Sequence, residues 1–557
     1  MKAKIILTIL CFLIGSHIYS ATYYLNDAST TGDLYCTAVG NNTNDGLSPA
    51  TPKLTLAAVY ALAGAGDTIL IDTGIYEGST NRFLDTNPIN KVGLQIIGAG
   101  EDLTIFRKDS GTNIRWLSIS ANNIKISRMT VTNFNAGSDG IAIQITSGTG
   151  IELSNMLIYG NVGSAGQGAV FITGNSTSVT INKVSSHCNR IAASNYGGGY
   201  KITGSTVVFN ECTVASNVYS TGRGGGMLIG GNTANVTINK TIFEDNEARD
   251  GGALTINNGT LNVNNSCFKS NFTSNLTGSI GGGAVDINFL LNGTTTNVNF
   301  NNCTFENNQV KYTLAKGGGA VSVTNLNSPT LNLTFTSCSF KNNFIAAGSG
   351  EDVFFDKSNS PTLNVTFKNT TFETLYAGTK VNLYNQDILA AQIKFESLAG
   401  AGGNGDIVAD GSGVAISKPE FSSGIAAPAY TETSSAIPVG LPVTFCEDRF
   451  IGTCGGGFKL FCTKNPVTGA SDSALKTNIG FSTLSTIQSE SWPHNIPNGL
   501  LVMESKNKGF VLTRMSDTER NSIPTPIEGM LIYNTTVHCL QIFNGVTWRC
   551  MVETCVD

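Results

Sequence analysis

The chain has 557 residues, of which only 13% are charged, with 63 glycines and a formal net charge of −5. That length suits two to four domains, and scarce charge with abundant Gly, Asn, Ser and Thr suits many short strands joined by tight turns. The weakly acidic balance and the lack of any long basic run exclude nucleic acid as an expected partner.

Residues 1–20 open on "MKAKIILTIL CFLIGSHIYS": two lysines, an apolar stretch, then small residues. This is the pattern of a secretory signal peptide, expected to be cut after Ser20 or Ala21. A lipoprotein signal centred on Cys11 fits poorly, because Leu10 stands where a small residue is needed. No later segment has the ~18 unbroken apolar residues of a membrane helix. The mature chain is therefore expected to be exported, either secreted or held at the cell surface. Residues 21–91 read as a cap with the first coils. Thr51-Pro52 is expected to start a short helix with Leu54, Ala57, Ala58, Ala61 and Leu62 on one side and Gly64 as its stop. The strand "DTILID" (67–72) then begins the sheets.

Residues 92–398 carry a repeat. An apolar residue is followed five positions on by another, and three beyond that by Asn: Leu153/Ile158/Asn161, Phe209/Val214/Asn217, Ile238/Phe243/Asn246, Val263/Phe268/Asn271, Phe300/Phe305/Asn308 and Phe335/Phe340/Asn343. Ile181/Asn189 keeps the ends of the pattern, while Ile126/Val131 and Phe367/Phe372 keep the apolar pair with Phe134 and Leu375 in place of Asn. Each copy also holds a Gly run before an alternating strand ("GGGMLI", "GGALTI", "GGGAVSV") and a second alternating segment such as "TLNLTF". Three short strands and three corners per period predict an all-β, right-handed parallel β-helix of nine to eleven coils. Asn161, Asn189, Asn217, Asn246, Asn271, Asn308 and Asn343 are expected to form a hydrogen-bonded ladder at one corner, and glycine to supply unusual backbone angles at the next. Cys212, Cys303 and Cys338 share a small-residue position with Thr241, Ser266 and Thr370, which reads as a ladder of small side chains rather than disulfides. The position after the second apolar residue alternates in sign through Glu244, Lys269, Glu306, Lys341 and Glu373, so neighbouring coils should pair opposite charges.

A Gly/Ser/Ala/Pro-rich stretch, 399–442, reads as a linker to a β-rich C-terminal module, 443–557. That module holds Cys446, Cys454, Cys462, Cys539, Cys550 and Cys555, an even number that suits disulfides without choosing a pairing. Zinc is the competing reading, but the spacing is poor and no histidine lies nearby.

Three resemblances accompany this reading. "FEDNEARDGGALTI" and "FENNQVKYTLAKGGGAVSV" resemble the repeats of polymorphic outer-membrane proteins, bacterial surface β-helices, which implies a similar fold and an adhesin-like role. The start, 23–78, is similar to the N-terminal cap of exported bacterial β-helix proteins, pectate-lyase-like ones included. The end, with "KGFVLTRM", "IEGMLIYN" and "FNGVTW", resembles a C-terminal module of surface and tail-fibre-like proteins, which implies oligomerisation through that module.

Many β-helices cleave acidic polysaccharides, with calcium and a basic residue or with paired carboxylates. No such set stands out. Asp139 in "GSDGIAI" is alone, His187 sits near a corner, and Asp245, Glu247 and Asp250 share a loop without the ligand order of a calcium hand. Glu351, Asp352 and Asp356 read as a solvated turn. No residue is therefore assigned a catalytic or metal-binding role, and no cofactor is expected, calcium being conceivable without a motif. The expected binding face is the variable loop after the corner Asn, with Tyr196, Tyr219, Arg223, Arg249, Lys311 and Tyr312 presented to a polysaccharide or surface protein. The function so implied is surface binding without chemistry. Its alternatives are a polysaccharide lyase or glycoside hydrolase, signalled by acids and a base on one sheet face, and a structural fibre.

Overall fold

The computed structural model describes residues 20–372 apart from short loops, strands at 383–386, 391–396, 420–421, 430–433, 476–479 and 494–497, and most of 512–551. Residues 1–19 of the expected signal peptide, Tyr196, Tyr312, Asp139, Glu373 and Cys446, Cys454, Cys462 and Cys555 lie outside the described residues. The chain divides into two units, Met1–Cys454 and Gly455–Asp557.

The first unit is an all-β parallel β-helix with stacked sheets of 22, 7 and 11 strands. One coil shows the plan. Thr206–Asn210 and Thr213–Ala215 lie in the first sheet, Val218–Arg223 in the second and Met227–Gly230 in the third. The expected three strands per coil thus become four segments on three sheets. The cause is a backbone bend two residues after the first apolar position. Arg128, Asn155, Lys183, Glu211, Lys240, Asn265, Asn302 and Ser337 all adopt left-handed φ there, between 48° and 62°. These are polar side chains that can point to water, so the chain turns without burying a charge. A second left-handed residue, such as Ser216, Asp245, Ser270 or Asn307, directly precedes each ladder Asn.

The register is the one the repeat implies. Phe209, Ile238, Val263, Phe300, Phe335 and Phe367 are Cα partners in successive coils. Phe243, Phe268, Phe305, Phe340 and Phe372 form the neighbouring column. The rings of that second column stack at 4.8–5.0 Å with planes within 7° of parallel. Stacked strands sit ~4.8 Å apart, so identical aromatics in register meet face to face.

Asparagine closes the corner between the first and second sheets. Asn246 Nδ2 donates to Asn271 Oδ1 (2.9 Å) and to the Val214 carbonyl (2.8 Å). Its Oδ1 accepts from the backbone N–H and from Nδ2 of Asn217, both at 3.1 Å. The same set repeats from Asn161 to Asn343, each member at most 1% exposed. The ladder ends on an acid. Asn343 Nδ2 donates to Asp352 Oδ1 at 2.8 Å, and Glu351 Oε2 accepts from the Ile345 N–H at 2.8 Å. Glu351 and Asp352 are fully buried, which corrects their reading as a solvated turn. In the sequence the next copy of the repeat has Leu375 in place of Asn, and a carboxylate supplies the acceptor that another asparagine would have given.

Glycine enters the opposite corner in two ways. Gly224 opens its run at φ +67°, whereas Gly318 is needed for close approach, since a Cβ there would lie 1.9 Å from the Val321 carbonyl oxygen. Cys212, Cys303 and Cys338 are buried free thiols whose Sγ atoms lie 3.3–3.5 Å from carbonyls of the preceding coil, as the small-residue column predicts.

At the N-terminal end the strand Thr22–Leu25 already pairs with Thr68–Ile71, so stacking starts inside the cap. The helix there is Leu56–Leu62, capped by Thr55, and it buries Leu56 and Val59 while Leu62 is 44% exposed. The buried face is thus rotated from the expected one, because Lys53 is held in a bridge to Leu25 and the helix cannot begin before Thr55. The cap loop is pinned by buried Asp72, whose carboxylate accepts the N–H groups of Leu34 (2.7 Å) and Tyr35 (2.8 Å). At the other end Glu420–Phe421 and Tyr430–Thr433, inside the stretch read as a linker, continue the parallel pairing.

In the second unit, Leu531–Asn534, Cys539–Phe543 and Trp548–Met551 form an antiparallel sheet, joined in parallel by Arg514–Met515. The short helix Asp517–Asn521 begins with a reciprocal cap between Ser516 and Glu519. Buried Asn534 donates to Asp517 (2.7 Å) and Gln541 (2.9 Å), tying helix to sheet. No helix among the described residues is long and apolar enough to cross a membrane.

Candidate functional site

The four described residues of the proposed loop face, Tyr219, Arg223, Arg249 and Lys311, do not form one exposed surface. Tyr196 and Tyr312 lie outside the described residues. Lys311 is exposed, with Nζ 3.3 Å from the centroid of the Phe272 ring. Tyr219 is 1% exposed and packs with Ala136, Ile141 and Ile191, so it offers no ring to a ligand. Its burial was readable. The second residue after the ladder Asn forms an inward column, Tyr219, Ala248, Thr273, Val310 and Ile345, in register from coil to coil. The backbone at Gly222 folds against the ring, where a Cβ would come within 1.5 Å of it.

Arg223 and Arg249 do come together, on a buried carboxylate. Arg223 Nε lies 3.3 Å and Arg249 Nε 2.9 Å from Asp250 Oδ2, and Asp250 is 4% exposed. Arg223 and Asp250 are neighbours across an irregularity in the second sheet, which brings both to the corner where the third sheet begins. There Asp286 lies on Val285–Asn288, between Thr255 and Ser322 of the adjoining coils. It accepts from Asn288 Nδ2 at 3.0 Å, and both residues are buried. Burial first, and the nearby charge of Asp250 second, push the Asp286 carboxyl well above the usual carboxylate range. Asp250 Oδ1, Asn288 Oδ1 and Ser322 Oγ are buried there without a hydrogen-bond partner. Sequence reading missed Asp286 and Asn288 because "AVDIN" looks like an ordinary alternating strand, and only the coil register places it beside Asp250.

The calcium loop does not assemble. Asp245, Glu247 and Asp250 do not converge, and no three His, Cys, Asp or Glu side chains among the described residues gather as a metal site.

Two further ionisable groups are structural. His187 is 2% exposed, stacked on Tyr159 at 5.3 Å, and burial lowers its pKa to about 3. Glu244 is raised to about 7 by burial, with Lys269 (3.6 Å) pulling it down and Asp245 pushing it up. Glu244 and Lys269, Lys269 and Glu306, and Glu306 and Lys341 are Cα partners, so the alternating column is in register. The two shifted groups act at different ends of the pH scale. Glu244, whose folded pKa is raised, costs stability as pH rises from about 4.5 towards 7, because the unfolded chain then holds fewer protons. His187, whose folded pKa is lowered, costs stability as pH falls below about 6.5, where the unfolded imidazole charges first. Glu244→Gln is therefore expected to stabilise the protein against urea at pH 8 and to leave it unchanged or weaker at pH 5. Equal effects at both pH values would show that Glu244 titrates normally.

Residues 486–556 match the family described as the phage tail like trimerisation region, in agreement with the resemblance of the C-terminal blocks to fibre modules. No curated protein matches the chain. Among solved structures, a rhamnogalacturonan lyase is 14% identical with a TM-score of 0.36, over 61% of this chain and 88% of its own. The mannuronan C-5 epimerase A-module of Azotobacter vinelandii is 11% identical with a TM-score of 0.38, over 74% and 100%. The Dettilon tailspike protein is 12% identical with a TM-score of 0.36, over 63% and 62%. At these identities and scores the likenesses carry nothing about substrate or reaction.

Proposed function

We propose that the chain is an exported, trimer-forming β-helix protein of a bacterial surface or fibre, which binds a glycan or another surface partner and performs no chemistry. The observation that carries this reading is the trimerisation-type region at 486–556 on the same chain as a parallel β-helix. A rigid stack of coils suits binding, because groups on adjacent coils repeat along a surface that is ordered before any ligand arrives. Leu531 and Val537 are 40% and 50% exposed in the single C-terminal unit, apolar area that association would cover. Light scattering of the full chain is expected to give three times the chain mass, and Leu531→Asp with Val537→Asp to give one. A single-chain mass for the unsubstituted protein would remove the basis of the reading.

A second reading, a polysaccharide lyase or glycoside hydrolase, is favoured by one arrangement: Asp250, Asp286, Arg223 and Arg249 at one sheet corner, two carboxyls with two guanidinium groups beside them, the Asp286 carboxyl shifted upward by its burial. Asp286 is fully buried and both arginines already neutralise Asp250, which suits a structural role better. Turnover of any polysaccharide that falls about 100-fold or more in Asp286→Asn would establish the enzyme instead.

A further inference from the structure

The outward side of the first sheet changes character along the stack. Lys125 and Glu152 stand on it in the early coils, paired at 3.7 Å. From Ser178–His187 to Thr362–Lys368, the outward positions ahead of the bend are Ser, Thr or Asn in every coil, with Val208 and the terminal Lys368 as the exceptions. Those whose exposure is described are half-buried or exposed, so the face is open. The charges that border it at the bend are spent on one another, with Glu211 3.8 Å from Lys183 and 3.7 Å from Lys240.

The amides of this face are fixed. Asn210 donates to Asn182 at 2.7 Å, Asn239 to Asn210 at 2.9 Å, Asn264 to Asn239 at 2.9 Å and Asn301 to Asn264 at 3.1 Å. A parallel column runs from Asn364 through Asn332 to Asn297 at 2.8 and 2.7 Å. An amide carries two N–H groups and two acceptor lone pairs, and a ladder within the stack uses one of each. Every rung therefore keeps one donor and one acceptor for an outside partner, repeated at ~4.8 Å and already immobilised.

We infer that this face binds a neutral, hydroxyl-rich polysaccharide lying across the coils. The inference rests on the glycan-binding reading above and names its substrate class and site. Hydroxyls are both donors and acceptors, which matches the paired valences each amide leaves open. An anionic polymer would find one cation among these positions, Lys368 at the end of the face, a cationic polymer no carboxylate, and an apolar partner little but Val208. The loop arginines that would have selected an acidic glycan are already held by Asp250.

The test is retention of the full chain on immobilised neutral β-glucan and β-mannan, with polygalacturonate as the acidic counterpart, at low and high salt. Thr237→Arg with Thr334→Arg adds charge and bulk to the face and leaves both Asn columns intact, and Lys311→Ala serves as the loop-side control. Urea unfolding of each variant checks that it folds as the parent does. The expected result is salt-insensitive retention on a neutral polymer, weakened at least tenfold in the double variant and unchanged in Lys311→Ala. Retention that is unaffected by the double variant, or that is confined to polygalacturonate and lost with salt, overturns the proposed face while leaving glycan binding in place. Retention on none of the three overturns both.

Discussion

Asn246→Ala is expected to lower the stability of the β-helix by about 4 kcal/mol, because it strands two buried donors at ~1–3 kcal/mol each. Those donors are the backbone N–H and Nδ2 of Asn217, which both use Asn246 Oδ1, and the Val214 carbonyl loses its partner as well. Water cannot replace them, since Asn217 and Asn246 are fully buried. The comparison that isolates the effect is Asn264→Ala, in the outward ladder, where solvent takes over the bonds to Asn239 and Asn301. That change should cost at most about 0.5 kcal/mol, as surface substitutions generally do. Urea unfolding of the two variants checks the pair. A loss in Asn246→Ala no larger than the ~0.5 kcal/mol expected of Asn264→Ala would mean that the corner ladder contributes little and that the coils are held by their core alone.

Phe305→Ala carries the second large effect. Phe305 is fully buried between Phe268 at 4.9 Å and Phe340 at 4.8 Å, and it meets Phe300 edge-on at 5.4 Å. Truncation removes the ring and leaves a cavity, at a cost of about 3–5 kcal/mol. Lost aromatic contacts add ~0.5–1.5 kcal/mol. Phe372→Ala, at a ring that is only partly buried on the edge of the same column, should cost clearly less. If the two variants unfold at the same urea concentration, the column is not packed as described.

Much of this fold was legible because a coil repeats its chemistry. A pattern of apolar residue, apolar residue and Asn at fixed offsets specifies which side chains stack, and the register from Phe209 to Phe367 follows without further information. The bend at Glu211, Lys240 and their equivalents was not legible, since left-handed backbone at a charged residue has no compositional signature. The burial of Glu351 and Asp352 was hidden for a related reason: acids suggest solvent until the missing asparagine of the following coil is noticed. The candidate site divided along the same line. Arg223 and Arg249 were picked out as charged loop residues, but their joint partner Asp250 and its neighbour Asp286 lie a coil apart in sequence and meet only through stacking. Tyr219 was misread because aromatic residues in loops suggest exposure, while its place two residues after the ladder Asn puts it in an inward column.

The central claim, binding without cleavage, is tested most directly by holding the full chain on an immobilised polysaccharide panel with calcium present and assaying the eluate for new reducing ends and for ultraviolet absorbance from unsaturated sugars. The account predicts protein retained on a polysaccharide and no product in the eluate. Product released from any member of the panel would contradict it, and would direct attention to Asp250, Asp286 and Arg223.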